Sequence, residues 1–578
     1  MIVGVVREGR REDGAETPGA GRKANVVGVR RRHCVKTRAV PPSSFPSDVM
    51  ARHETTVDRP MFRGSSRPAQ GDTGLPVASR RPAIRRRMAA FLIAAVCCGA
   101  AWQASPVHAQ FGGAGGGQQG GGGGGGLGGG GGGQQGGGQQ GGGGGGFGVA
   151  GVLIDANGVL RTQIVPDAGL SVAQRKAAVA SLPPDLQRPS TLRKVALSRL
   201  EAAVREAVDA GRGIPDDIQK MAGLTRVQYV FVYPATGTGD TAQPGEVVFA
   251  GPAEPWITDA TGRVVGVSTG APTVLLEDAA AALRAFPPGQ PADRGIGCSI
   301  DPTQEGLAAL QASIRQIGRV NPKASVDEIV TTMRQALGPQ QIRVDGVSPG
   351  SHFAQVMVEA DYRMKLIGIG LERPPVKMSS WIDLASSGSV ASNALQRWYF
   401  MPDYQCIRIS EDDLGIELVG RGVKLVGADE AVMPDGRRMS ATRSDRATKY
   451  FTDAFTAKYP EIAARSPVFA QLRTLIDLAV AAAYLQEHDG YGRTGWAAET
   501  LRDEAVYPIG RFQVPTQVEP AINAVWRGSR LLTPIGGGVS LQPRMALDPP
   551  NLLMDEKGTV ARTRGTGLDL PADRWWWD

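Results

Sequence analysis

The chain has 578 residues, 42% of them hydrophobic and 21% charged, and a formal charge of +8. That excess points to a nucleic-acid partner only until it is located: residues 1–109 hold 19 of the 64 basic and 8 of the 56 acidic groups, leaving 45 and 48 for the rest. A body of charge −3 lacks the clustered basic excess that captures phosphates, which excludes nucleic acid as the expected partner.

Residues 1–87 are rich in Arg and Pro, show no apolar periodicity and offer nothing that could bury a core, so they read as a disordered leader. Met50, Met61 and Met88 are internal candidates for the start. Arg85-Arg86-Arg87 then precedes an apolar run from Met88 to Trp102, closed by Ser105-Pro106-Val107-His108-Ala109. This is the order of a secretory signal peptide over 88–109, with cleavage expected between Ala109 and Gln110. The run is shorter than the ~20 apolar residues that span a bilayer, so no transmembrane helix is expected after cleavage. The expected location is therefore outside the cytoplasm, periplasmic or extracellular.

Between 110 and 148 the chain is a Gly/Gln-rich, low-complexity segment, with 28 glycines in 111–148. Glycine loses the most backbone entropy on ordering and has no side chain to bury, so this stretch reads as disordered coil.

Globular composition begins near 149, and the elements after it predict an α+β fold of two or three units. In the first, 149–290, Gly151 to Arg161 alternates around Asp155-Ala156-Asn157-Gly158 as a hairpin. Ser171 and Gln174 form a capping box. Ser190 is expected to open a helix carrying Leu192, Ala196, Leu200, Val204 and Val208 on one face and ending at Gly211. Arg226–Tyr233, Glu246–Ala250 and Ile257–Val267 read as strands, the last folded at Asp259 to Gly262.

Pro287 to Pro291 marks a boundary. A second α+β unit, 291–430, has helices over Pro302–Ile317, Ser325–Leu337 with a Ser325/Glu328 capping box, and Ser351–Ile369. Arg397–Met401, Gln405–Ser410 and Ile416–Val426 read as its strands. A helical unit follows at 440–490, built from Ser444–Tyr459 and Pro467–Gln486. Ser466 is the N-cap and Pro467 the first helical residue of the second helix, which is apolar on more than one face and expected to be the most buried. Residues 491–578 read as an irregular, Pro- and Gly-rich segment ending Trp575-Trp576-Trp577-Asp578.

Few residues suggest chemistry. Gly266-Val-Ser268-Thr-Gly270 satisfies G-x-S-x-G, and Ser268 with His352 and Asp301 or Asp345 is the candidate triad of a serine hydrolase. Against it, the incoming strand belongs to a hairpin, Pro272 crowds the turn and no oxyanion-forming His-Gly-Gly precedes it. After cleavage only His352 and His488 remain, without close ligand pairs, so no metal is expected. No Gly-rich phosphate loop is present and no cofactor is expected. Glu359/Arg363 and Asp361/Lys365 are four apart and read as solvated helical ion pairs, and Asp477 in the most apolar helix is assigned Arg473 as its partner. Cys298 and Cys406, the two thiols left after cleavage, are a disulfide candidate in an oxidising compartment. Trp575, Trp576 and Trp577 are either a staple onto the protein's own body or a partner anchor.

Gly297-Cys298-Ser-Ile-Asp301-Pro302, Val358-Glu-Ala-Asp361-Tyr362-Arg-Met-Lys365, Trp398-Tyr-Phe-Met-Pro402-Asp403, Ser466-Pro467-Val468-Phe469, Pro534-Ile-Gly-Gly-Gly538-Val539 and the closing Trp-Trp-Trp-Asp resemble the bacterial family known as domain of unknown function 1598. The likeness spans roughly 150–578. It implies an exported protein behind a low-complexity leader and brings no activity or catalytic residues with it. The sequence thus predicts an exported, noncatalytic binding or structural component of the cell envelope, with an envelope or extracellular macromolecule as partner. The competing expectation is an extracellular hydrolase using Ser268.

Overall fold

A computed structural model of the protein describes residues 4–8 and 152–578, apart from short internal stretches such as 163–169 and 387–393. The signal-peptide and Gly/Gln-rich segments expected at 88–148 lie outside the described residues, as does all of the leader except Gly4–Glu8, a strand paired with Arg530–Thr533. Contacts divide the chain into one unit of Met1–Gly14 with Gln140–Asp578 and another of Ala15–Gln139.

The first unit is α+β, with helices packed on mixed sheets. A nine-stranded sheet runs in the order Arg438–Ser440, Val423–Val432, Ala394–Pro402, Gly538–Leu541, Ile296–Asp301, Gln340–Asp345, Gln517–Val518, Val159–Thr162, Val152–Ile154. A seven-stranded sheet runs Leu552–Met554, Ile407–Ile409, Gly415–Leu418, Tyr229–Tyr233, Glu246–Ala253, Ser190–Ala196, Trp576–Trp577. Each sheet draws strands from segments hundreds of residues apart. The sequence boundaries near 290, 430 and 490 all fall within this one unit, the second inside the Val423–Val432 strand and the third at the start of the helix Gly490–Thr494.

Local signals hold where they concern turns and caps. Val152–Ile154 and Val159–Thr162 form the hairpin at Asp155–Gly158, in which the Asp155 Oδ1 accepts from the Asn157 and Val159 amides. Ser171 and Gln174 make the capping box. Ser325 caps its helix in conformation only, because its side chain makes no cap hydrogen bond.

Residues 491–578, expected to be irregular, supply strands to both sheets, Gly538–Leu541 to one and Leu552–Met554 to the other, because their pairing partners lie far away in sequence, and two further elements differ from expectation. Ser190–Ala196 is a strand, and only Leu197–Asp209 is helical. Leu192, Ala196 and Leu200 share helical spacing, but pairing with Glu246–Ala253 on one side and the C-terminal tryptophans on the other outweighs the weak preference of so short a stretch. Ile416–Val426 is two strands in different sheets. Gly420 and Gly422, both with φ of +74°, turn the chain between Gly415–Leu418 and Val423–Val432.

Three helices matter most for function: α1 (Leu276–Ala285), α2 (His352–Gly368) and α3 (Pro467–Glu487). α3 packs on both others and is buried nearly throughout. It is long and apolar enough to cross a membrane, yet 89% of its most apolar window lies inside the protein, as expected of a core helix. Beside it Phe400, Phe455, Tyr459 and Phe469 cluster at ring separations of 5.6–6.4 Å. α2 packs flush on Trp398 because position 368 is glycine: a Cβ there would stand 2.0 Å from the Trp398 ring.

Candidate functional site

The serine constellation does not assemble. Ser268 is exposed in a turn that runs from the Val264–Gly266 hairpin strand and is closed by the Gly270 amide donating to the Gly266 carbonyl. The next helix starts only at Leu276, and Ser268 is absent from the residues with positive φ, so the strained strand-to-helix elbow of a hydrolase is not formed. Its amide donates to Glu254. The candidate acid Asp301 binds Arg397 at 3.0 Å, and His352 takes a different partner.

Nor are Cys298 and Cys406 bridged; both thiols are free and buried. Cys298 sits in the nine-stranded sheet opposite Val344 and Val539, whereas Cys406 adjoins the Ile407–Ile409 strand of the other sheet. Burial raises both thiols, Cys406 to about 12, which keeps them protonated and unreactive.

The tryptophan tail docks on the protein itself. Trp576–Trp577 pairs antiparallel with Val195 and Lys194, at the edge of the seven-stranded sheet. Trp576 is 7% exposed, with the Arg193 guanidinium 4.5 Å and the Arg574 guanidinium 4.8 Å from its ring centre. Arg193, wholly buried, donates to both carboxylate oxygens of Asp578 at 2.8 and 3.0 Å and to the Ala222 carbonyl at 2.7 Å.

The charged pairs expected at the surface are inside. Lys365 donates to Asp361 at 2.6 Å with both buried, and burial raises the Asp361 carboxyl to about 6 although Lys365 opposes it. Glu359 has Arg363 at 3.7 Å, but its main partner is Arg263, which donates to both its oxygens at 2.8 and 2.7 Å. Asp477 pairs with Arg226 at 3.0 Å; Arg473 instead donates to the Gly420 carbonyl.

What the structure brings together lies around His352. Ser351, whose Oγ accepts from the Ala354 amide, starts α2 and sets His352 at its first position, facing Asp278 in the first turn of α1. The imidazole Nδ1 is 3.0 and 2.9 Å from the two Asp278 oxygens, and both residues are buried. Burial alone would push the imidazole down, but the carboxylate more than reverses this and the His352 pKa is raised, while burial raises the Asp278 carboxyl as well. On its other side Nε2 is 3.5 Å from the Gln471 amide of α3, whose carbonyl oxygen has no partner. Half a turn of that amide would set the oxygen against the ring N–H and leave the NH2 group with capacity to spare.

A cavity of about 230 Å³ opens on this pair. Lys220, Arg263 and Arg511 also line it, together with Val264, Leu275 and the rings of Tyr507 and Phe512. Each cation has its own carboxylate: Lys220 bonds Asp216 at 2.9 Å, Arg511 bonds Glu277 at 2.8 Å, and Arg263 bonds Glu359. Phe512 packs 6.3 Å from the His352 ring. A larger cavity of about 350 Å³ is walled mainly by Pro, Ala and Thr, with Arg226 and Arg473 at its edge. It brings together fewer titratable groups than the His352 cavity. Among the described residues, no group of three or more His, Cys, Asp or Glu side chains is placed to hold a metal.

Sequence reasoning reached His352 only as a triad partner and missed Asp278, Arg263, Gln471 and Arg511. The available signal was slight: an aspartate preceding the alanine run 279–282, and a histidine opening an apolar helix.

The arrangement defines an α+β protein with a buried core helix and a charge-lined cavity that opens beside it. Residues 298–381 match the family described as a protein of unknown function (DUF1598). The match includes His352, Glu359, Asp361 and Lys365, while Arg263, Asp278, Gln471 and Arg511 lie beyond it. No curated protein and no solved structure matches the chain.

Proposed function

We propose that this chain is a noncatalytic binding component of the cell envelope, exported through its 88–109 segment, and that the His352 cavity is its recognition site for a chemical group of an envelope or extracellular component. The observation that carries the reading is Gln471: 6% exposed, set against His352 on the cavity wall, and with amide capacity that no protein group takes up. A buried polar group without a partner costs about 1–3 kcal/mol, which a ligand in the cavity would recover.

Binding is favoured over catalysis by how the lining groups are held. His352 is committed to Asp278 at 2.9 Å, and the lining cations Lys220, Arg263 and Arg511 are each bound to a carboxylate. A charge-lined cavity with apolar walls is the usual form of a small-molecule site.

Ligand-observed NMR of a fragment library tests this, using the wild-type chain and a Leu275→Trp variant that fills the cavity. Fragments that bind the wild type and are lost from the variant support the reading; a hit list identical for both contradicts it. N-terminal sequencing from the envelope fraction tests export, with Gln110 expected and an intact cytosolic leader opposing it. Labelling of Ser268 by a fluorophosphonate would favour the hydrolase instead.

A further inference from the structure

We infer that the ligand of the His352 cavity is a small organic anion, a carboxylate on a compact apolar or aromatic body; this rests on the cavity being the recognition site.

The charges around the cavity are layered in a fixed order. Lys220, Arg263, His352 and Arg511 line the cavity, yet of their four carboxylate partners only Glu277 does. Asp278 and Glu359 are buried behind their cations, and Asp216 lies beyond Lys220, where it also accepts from the Trp256 indole at 2.9 Å. The wall thus presents N–H donors inward with the compensating negative charge at the rear. An anion entering meets donors held in place, those of Arg263 and His352 already buried, whereas a cation meets like charge at close range and would have to displace existing pairs.

Size and shape narrow the class. A cavity of about 150 Å³ accommodates benzene, so about 230 Å³ suits a ring bearing one small polar group. Val264, Leu275, Tyr507 and Phe512 supply the apolar and aromatic surface for that body, and Gln471 offers the amide group that a carboxylate or an adjoining hydroxyl would satisfy.

Benzoate, benzamide and benzamidine share size and shape and differ in charge, so isothermal titration of the full-length chain with each separates this inference from the reading beneath it. Benzoate is expected to bind at least about tenfold more tightly than benzamide, a difference of about 1.4 kcal/mol, with benzamidine weakest. In Arg511→Gln, which removes the rim cation, benzoate binding should weaken several-fold more than benzamide binding. Equal binding of all three, or a preference for benzamidine, overturns the anion inference and leaves the cavity as a site. Failure of all three to bind overturns both. A second arm uses a benzoate tethered to resin through its far side. Retention identifies a carboxylate displayed on a larger envelope molecule, and binding of free benzoate without retention identifies a free acid; either outcome supports the anion.

Discussion

Removing Trp575–Asp578 should destabilise the protein severely, because the tail closes a sheet edge and neutralises a buried cation. Trp576, 7% exposed, withdraws roughly 200 Å² from water, and truncating such a ring costs about 3–5 kcal/mol. The tail also supplies the carboxylate for Arg193, which is fully buried. Stranding a buried charge costs about 3–5 kcal/mol, but Asp578 is 46% exposed and water would replace part of its effect, so about 1–3 kcal/mol is the reasonable share. Coupling between the two losses is expected, since Arg193 also stacks on Trp576. Truncation should therefore lower the unfolding free energy by at least about 4 kcal/mol, a large part of the 5–15 kcal/mol typical of folded proteins. Urea denaturation followed by tryptophan fluorescence and far-UV dichroism measures this for the full chain, the truncated chain and Trp576→Ala. A truncated protein within about 1 kcal/mol of the parent would refute the staple, and loss of envelope retention without loss of stability would make the tail an anchor.

Three other outcomes are expected. The Asp361 carboxyl rises from 3.8 to about 6 in the fold, so the native state holds its proton more tightly than the unfolded chain; the associated stability is present below pH 4 and lost as pH rises through 6. Relative to an Asp361→Leu, Lys365→Met double variant, the parent should thus lose about 2 kcal/mol between pH 4 and 7, read from urea midpoints; a constant difference would contradict this. Gly368→Ala should lower Tm by several degrees, since Trp398 is fully buried and packed against Phe451 at 4.8 Å and cannot yield to the added methyl. An unchanged Tm would mean that α2 and Trp398 do not pack this closely. Alkylation of protein unfolded without reductant, with peptide mass spectrometry as the readout, should find Cys298 and Cys406 modified as free thiols, and a linked pair of peptides would overturn their placement.

The sequence is informative where a few adjacent residues decide the outcome. The Asp155–Gly158 hairpin, the Ser171 capping box and the Pro467 helix start each depend on local geometry and are legible. Ser190–Ala196 is not, because its fate depends on partners that come from Glu246–Ala253 and from the end of the chain. The charge pairs fail for a related reason: spacing identifies Asp361 with Lys365 but says nothing of burial, and Arg263 and Arg226 reach Glu359 and Asp477 across 96 and 251 positions. The candidate site has the same character, since α1, α2 and α3 bring Asp278, His352 and Gln471 together only through tertiary packing.

The most direct measurement is a crystal structure of the full-length chain soaked with benzoate. The account predicts the ring beside Phe512 and Tyr507, with its carboxylate within about 2.7–3.2 Å of donors from Arg263, Lys220, Arg511 or His352. An empty cavity under saturating benzoate, or a carboxylate turned away from those side chains, would contradict it.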